Sequence, residues 1–365
     1  MKKKLALCIT AVLLVCLCAG GVTAMAAESE LGASAACEGH TLGTFNGVPA
    51  CVNENGDLHV CENNFPDEGF RDSENWTLYG NGFGDPIAVN EYITDELNEQ
   101  IHHLTVRNVS SLRGIEFFVN LTSIDADGEF MDVDISNNTE LTRLWASSDK
   151  FTTLKASDDN YNMLTNLSIQ SNVLTEFDAS NYVRLTDLYV YAPLLVNIDV
   201  SGNTELDVLG IAGTQLKELD LSNNRKLYQV QIYDNKLEKL LLSDNDSIVL
   251  LWCQNNLLTS LDVPATAVVF RYENNKLAEL DLSEVERIDR DPGSVGSPSG
   301  FSYSPQNITV ESSISGGKYV VDLSSVISPE NLGKVANLSA GTYDSNTGIV
   351  TFDAMPESFT YYYDV

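Results

Sequence analysis

Apolar residues recur along the middle of the chain at a fixed interval. The segment Leu206 to Leu216 reads L-x-x-L-x-I-x-x-T-x-L, and Leu227 to Leu237 reads L-x-x-V-x-I-x-x-N-x-L. The same frame fits Leu164 to Leu174, Leu185 to Leu195 and Ile248 to Leu258. Units begin at Leu121, Leu141, Leu164, Leu185, Leu206, Leu227, Ile248 and Ala267, in steps of 20, 23, 21, 21, 21, 21 and 19 residues. Self-similarity at such a period signals a solenoid of stacked coils. Each unit also has a second half, such as Leu216-Lys-Glu-Leu219-Asp-Leu221 or Leu195-Val-Asn-Ile198-Asp-Val200. Apolar residues two apart predict one short strand in each half, so a coil runs strand, turn, strand, turn with no room for a full helix. At about 4.8 Å per stacked strand, eight coils make a rod roughly 38 Å long. Their leucines form one continuous core that no single coil could bury alone.

The fold class predicted is a mainly β solenoid of about eight 21-residue coils with two short strands each, a mixed N-terminal cap and a small C-terminal β module. Asn172, Asn235, Asn256 and Asn275 sit where the chain leaves the first strand. Their amides are expected to satisfy the unpaired backbone of the bend. Cys253 replaces an inward aliphatic and is expected to act as a small hydrophobe.

The flanks have other patterns. Residues 62–118 read as the cap that the first coil requires. Within it Thr94 can cap a helix with Asp95 and Glu96 in its first turn, Leu97, Ile101 and Leu104 on its apolar face, and His102 and His103 at its far end. From Asp289 to Gln306, Asp, Pro, Gly and Ser predict a linker. Beyond it Tyr319 to Leu323, Gly348 to Phe352 and Phe359 to Tyr363 predict strands, with a hairpin turn at Asp344 to Gly348. The sequence stops inside the last of these, which leaves the completeness of the module open. At the other end, Lys2, Lys3 and Lys4 precede an apolar run from Leu5 to Val22 and the small-residue site Ala24-Met25-Ala26. This predicts an export signal cleaved after Ala26. Gly20 and Gly21 break the run, so a retained membrane anchor is disfavoured, and Cys16 and Cys18 lack the small residue that precedes a lipidated cysteine. The division expected is therefore 1–26 signal, 27–118 cysteine-containing segment and cap, 119–288 solenoid, 289–306 linker and 307–365 β module.

Charge narrows the partners. The formal net charge is -31, and the signal carries three lysines and no acid, so its loss gives -34. Such a chain repels nucleic acid and anionic lipid, and favours cations or surfaces bearing them. Four cysteines survive cleavage, Cys37, Cys51, Cys61 and Cys253, too few to frame the fold.

Three segments carry a resemblance: Asn64-Phe-Pro-Asp-Glu-Gly-Phe-Arg71, Ser111-Leu-Arg-Gly-Ile-Glu-Phe-Phe-Val-Asn-Leu-Thr-Ser-Ile-Asp125, and coils of the form L-D-L-S-N-N. With the Gly341 to Phe352 tail, they make most of residues 62–365 similar to the leucine-rich-repeat surface proteins of clostridia and their gut relatives, and more distantly to the internalins. The resemblance implies an exported or surface-associated bacterial binding protein. Relatives often carry a calcium-loop-like stretch in the cap. Here Asp85 to Glu96 lacks alternating carboxylates, so calcium is not carried over.

Three constellations could carry function. Cys37, His40, Cys51, His59 and Cys61 could hold zinc if residues 52–60 fold as a hairpin about Asn55-Gly56. A Cys51–Cys61 disulfide is the simpler account in oxidising surroundings, with free thiols as the remaining alternative. Asp134, Asp178, Asp199, Asp220, Asp262 and Asp281 form a second-strand ladder that must be hydrated, neutralised or bridged weakly by divalent cations, Asp178, Asp199 and Asp220 being the weak metal candidates. The outward columns of the first strands hold Arg143, Trp145, Tyr189, Tyr191, Gln229, Gln231, Tyr233, Trp252, Gln254, Arg271 and Glu273. Arg271 lies one coil from Trp252 and could cover its ring. Outward aromatics with amide and charged neighbours suit a protein hot spot or stacking on sugar rings, or are ordinary cross-strand packing. A hydrolase would need converging carboxylates or a nucleophile and base in a cleft. The repeats hold no histidine, no G-x-S-x-G occurs, and the one solenoid thiol points inward. The expectation is a non-enzymatic, cofactor-free binding protein for an extracellular protein or host surface, with a glycan module or a structural spacer as the alternatives.

Overall fold

The computed structural model describes residues 41–71, 76–80, 91–278, 280, 310, 312–354, 356, 358–359 and 361–363. The expected signal, Cys37, His40, Asp281 and the 289–306 linker lie outside them. A ten-stranded sheet runs along the solenoid. Trp76–Tyr79 forms one edge, antiparallel to His103–Val109. Then Ser123–Gly128, Arg143–Ser148, Asn166–Gln170, Asp187–Tyr191, Val208–Ala212, Gln229–Gln231, Leu250–Trp252 and Val269–Arg271 follow, all parallel. The pairing is in register, Leu167 opposite Leu144 and Leu188, Leu209 opposite Leu188 and Val230. The first seven coil-starting residues and the inward pairs Ile124/Ala126, Leu167/Ile169, Leu188/Val190 and Leu209/Ile211 are buried in one core, and Ala267 is buried as well. The fold is a mainly β leucine-rich-repeat solenoid. The second halves form short parallel pairs: Asp132–Asp134 with Thr153–Lys155, Glu176–Asp178 with Asn197–Asp199, and Glu218–Asp220 with Lys239–Leu241.

Two elements differ from expectation. The helix capped by Thr94 spans only Asp95–Asn98, with Leu97 N–H donating to the Thr94 hydroxyl. Ile101 does not continue its face. It starts one more coil, buried like its equivalents, with Leu104 and Val106 inward and His103 outward. Ile101-His-His-Leu104-Thr-Val106 repeats the coil frame one period before Leu121, and strand pairing prevails over local helix propensity. The longest coil, from Leu141, spends its additional residues on a short helix, Asp158–Met163, closed by a capping box between Ser157 and Asn160.

The corners rest on two ladders of buried amides. At the first, Asn235 Nδ2 donates to the carbonyls of Ile211 and Ile232 and its Oδ1 accepts from Thr214 N. Asn256 bridges the Ile232 and Cys253 carbonyls, and Asn275 those of Cys253 and Tyr272. Asn172 is the exception: it is exposed and bonded to Asp149, while Ser171 turns its hydroxyl to the Phe151 carbonyl. The second corner holds Asn138, Asn160, Asn203, Asn224 and Asn245, all buried. Asn224 Nδ2 donates to the carbonyls of Val200 and Asn203, and Asn245 to those of Leu221 and Asn224. Each of these buried amides thus satisfies at least one carbonyl of the coil before it, and those of the first corner also satisfy one of their own coil.

Both ends are covered. On the first coil, Phe65 packs with Phe70, Phe117 and Phe118, at ring centroids 5.5 to 6.1 Å apart. Asp67 accepts from the Ser110 N–H and hydroxyl. Gly114 has φ 117° and lies under the Phe65 ring, where no Cβ would fit. At the far end Ser312–Ser315, Lys318–Asp322, Ile349–Phe352 and Thr342–Asp344 make an antiparallel sheet. Its core of Val321, Leu323, Ile327, Leu332, Val350 and Phe352 includes Ala278 of the solenoid, and the Tyr361 hydroxyl donates to the Ala278 carbonyl at 3.4 Å.

The two asparagine classes give opposed expectations. Asn224→Ala leaves buried carbonyls unpaired and is expected to cost about 1–3 kcal/mol in urea unfolding. Asn172→Ala, at an exposed position, is expected to stay within about 0.5 kcal/mol of the parent. Equal losses would refute the corner-ladder account.

Candidate functional site: the outward face of the parallel sheet

Strand alternation sets outward side chains in columns across the coils. The central column runs Thr105, Asp125, Trp145, Ser168, Tyr189, Gly210, Gln231, Trp252, Arg271. The next, two residues on, runs Asp127, Ser147, Gln170, Tyr191 and Ala212 in register, and Tyr233, Gln254 and Glu273 hold the equivalent places in the last coils. Arg143 lies in the column two residues before, between Ser123 and Asn166, and its guanidinium donates to the Ser123 hydroxyl.

Large residues alternate with small ones where the aromatic rings lie. A Cβ on Gly210 would come within 2.5 Å of the Tyr189 ring, so that ring rests over the glycine. The Tyr191 ring lies against Gly213, whose φ of 69° turns the chain away beneath it. Tyr189 and Tyr191 are 41% and 50% exposed, on rings seated on backbone. Desolvation, aided by Asp187, raises the Tyr189 phenol above its ordinary value. Leu194 and Val196 follow on the same coil and Val173 on the one before, all exposed.

The tryptophans are covered. The Arg271 guanidinium lies 4.8 Å from the Trp252 ring centre, with Tyr233 tilted against the other ring at 6.4 Å. The Arg107 guanidinium lies 5.3 Å over Trp145 and donates to the Val106 and Asp125 carbonyls. Arg107 was not among the expected residues, because its strand was read as the end of a helix. Gly210, Gly213, Leu194 and Val196 were also missed. The signal for Gly210 is its place one coil after Tyr189, while Gly213 follows Ala212, the residue opposite Tyr191.

The other candidates have local explanations. Asp134, Asp178, Asp199 and Asp220 each accept from the backbone N–H two residues on, as Asp220 Oδ1 does from Ser222 at 2.9 Å. Hydrogen bonds from the Ser201 backbone and hydroxyl hold Asp199 below the usual carboxylate range, and those from the Ser222 hydroxyl and backbone do the same for Asp220. These four members of the ladder are turn caps. Among the described residues no group of three His, Cys, Asp or Glu could hold a metal ion.

The expected hairpin forms, Val48–Val52 pairing with Leu58–His59, but its register sets Val52 opposite Leu58. Cys51 therefore faces His59 rather than Cys61. Asn64 fills the space, donating to the Cys51 and His59 carbonyls and accepting from Cys51 N. Cys51 is buried there and Cys61 partly buried. Cys253 is buried in the core, and burial pushes its thiol well above the ordinary value.

No protein-family model and no curated protein matches the chain. Solved structures do. The functional domain of InlJ from Listeria monocytogenes, described as including a cysteine ladder, is 26% identical at a TM-score of 0.46. The match covers 64% of this chain and 55% of that one, so little more than half its length is spanned. An internalin C2 from Listeria monocytogenes is 19% identical at a TM-score of 0.40, covering 56% of this chain and 87% of that one. An internalin (InlF) from the same species is 16% identical at a TM-score of 0.31, covering 67% and 100%.

The capped aspartates make a pH prediction. A depressed folded value contributes stability above the unfolded carboxyl value of about 3.9, lost as pH falls through the lower folded value. Ser222→Ala removes the hydroxyl contribution at Asp220. Its carboxyl is expected to titrate higher by NMR, and acid unfolding to begin at a higher pH. An unchanged Asp220 titration would refute the capping account.

Proposed function

We propose that the protein is an exported, non-catalytic binding protein whose sheet face takes an extracellular protein ligand. The carrying observation is the Tyr189/Tyr191 pair, two exposed rings held on glycine backbone, with exposed Leu194 and Val196 on the same coil and Val173 on the one before. Rigid amphipathic rings beside aliphatic side chains are the composition of interface hot spots. Arg143, Gln231 and Glu273 add polar groups on the same face, and the arginine-covered Trp145 and Trp252, the latter with Tyr233 beside it, extend the surface. The covered indoles leave less open ring face for a sugar, which favours a protein over a glycan. Export is supported by the lysine-led apolar run ending at Ala24-Met25-Ala26. Surface association, as a bacterial leucine-rich-repeat protein, rests on the resemblance of residues 62–365 to clostridial and gut surface proteins.

Screening of the exported protein against extracellular proteins and a glycan array, with variants in parallel, tests this. Tyr189→Ala with Tyr191→Ala is expected to weaken protein binding about 30-fold or more without changing Tm. Gly210→Ala, which displaces the Tyr189 ring without removing it, is expected to weaken binding less. Binding untouched by the tyrosine pair would overturn the assignment, and selective glycan binding lost in Trp145→Ala with Trp252→Ala would replace it with the sugar reading.

A further inference from the structure

Near the N-terminal end of the same face is a cleft of about 510 Å³ lined by residues of four successive coils, among them Asn108, Asp127, Gly128, Ser147, Asp149 and Gln170. Its origin is a break in the sheet. Pairing between His103–Val109 and Ser123–Gly128 shifts register after Val106, and Asn108 takes φ 56°. The displaced strand end then lies so close to Gly128 that a Cβ there would meet the Val109 carbonyl at 2.0 Å. Bulges of this kind re-aim side chains beside functional sites.

The floor is one outward column, Asp127, Ser147 and Gln170. Ser147 is only 8% exposed although it occupies an outward position, and its hydroxyl has no hydrogen-bond partner among the described residues. Ser147 lines the cleft, so a ligand seated there could take the hydrogen bond that its hydroxyl does not make among the described residues. Of the carboxylates here, Glu129 is bound by Lys150 at 2.8 Å and Asp149 by Asn172 at 2.7 Å. Asp127 has neither an ion pair nor a side-chain hydrogen bond among the described residues. Arg107, the nearest cation on the adjoining strand, is turned away over Trp145. The cleft thus presents the uncommitted Asp127 carboxylate, the Ser147 hydroxyl and the amides of Asn108 and Gln170, a set that accepts from a cationic donor.

We propose that this cleft seats a basic side chain, arginine or lysine, of a polypeptide. This deepens the protein-binding reading and rests on it for the polypeptide. Tyr191 stands in the same column two coils beyond Ser147, about 10 Å away, so one extended segment could reach both. The net charge of -31 favours a basic partner.

The test uses small probes on the exported protein. Acetylated and amidated Gly-Arg-Gly and Gly-Lys-Gly are titrated by amide NMR, with the citrulline and norleucine peptides as uncharged controls and spermidine as a non-peptide cation. The basic peptides are expected to shift the amides of Asp127, Ser147 and Gln170, and the controls to leave them. Asp127→Asn is expected to weaken the basic peptides about fivefold or more at unchanged Tm, and Ser147→Ala to weaken them less. No localised shift, or an equal one from citrulline, would overturn the proposal. Spermidine binding as tightly as the peptides would overturn the polypeptide assignment. The tyrosine double variant separates the two readings, since tripeptide binding should survive in it whether or not the protein ligand is lost.

Discussion

Strands of three to seven residues leave much of each coil's backbone in corners, and the solenoid depends on how those corners are hydrogen-bonded. A bend carries carbonyls that no neighbouring strand reaches. Two ladders of buried asparagine supply the missing donors, one of Asn235, Asn256 and Asn275, the other of Asn138, Asn160, Asn203, Asn224 and Asn245. An amide fits because one Nδ2 reaches two carbonyls at once. Because each bonds to the preceding coil, the ladders also fix the step between coils, and with it the register of every outward column.

That register gives the sheet face its character. A 21-residue step sets Tyr189 beside Gly210, so the ring lies down instead of standing between large neighbours. The shorter 19-residue step of the last coil sets Arg271 beside Trp252. Aromatics of one chemical kind therefore become two surfaces, seated tyrosines open to a partner and tryptophans under guanidinium groups. Where the register breaks, after Val106, the face opens into a polar cleft.

The repeated acids show how a periodic feature can be structural. Asp199 and Asp220 lie one coil apart on an exposed edge, and each is engaged with the serine two residues on. Their repetition follows from the repetition of the turn that they cap. The same D-x-S-x-N string carries the buried second-corner asparagine, as in Asp220-Leu-Ser-Asn-Asn224, so that corner too has its signal in the sequence.

The sequence by itself determined the architecture, because the inward pattern must be satisfied coil by coil and a 21-residue period of leucines admits few alternatives. It also determined which aromatics face outward, since alternation along a strand fixes sides. Tertiary structure alone decided what depends on neighbours in the next coil or on competition between local preferences. The frame at Ile101 became a strand because a paired edge stabilises it more than two further turns of helix would. Cys51 met His59 because hairpin register, not proximity in sequence, sets the partner. Which rings were covered, and where a buried hydroxyl was left open at Ser147, followed from packing across coils, which no single coil's sequence encodes.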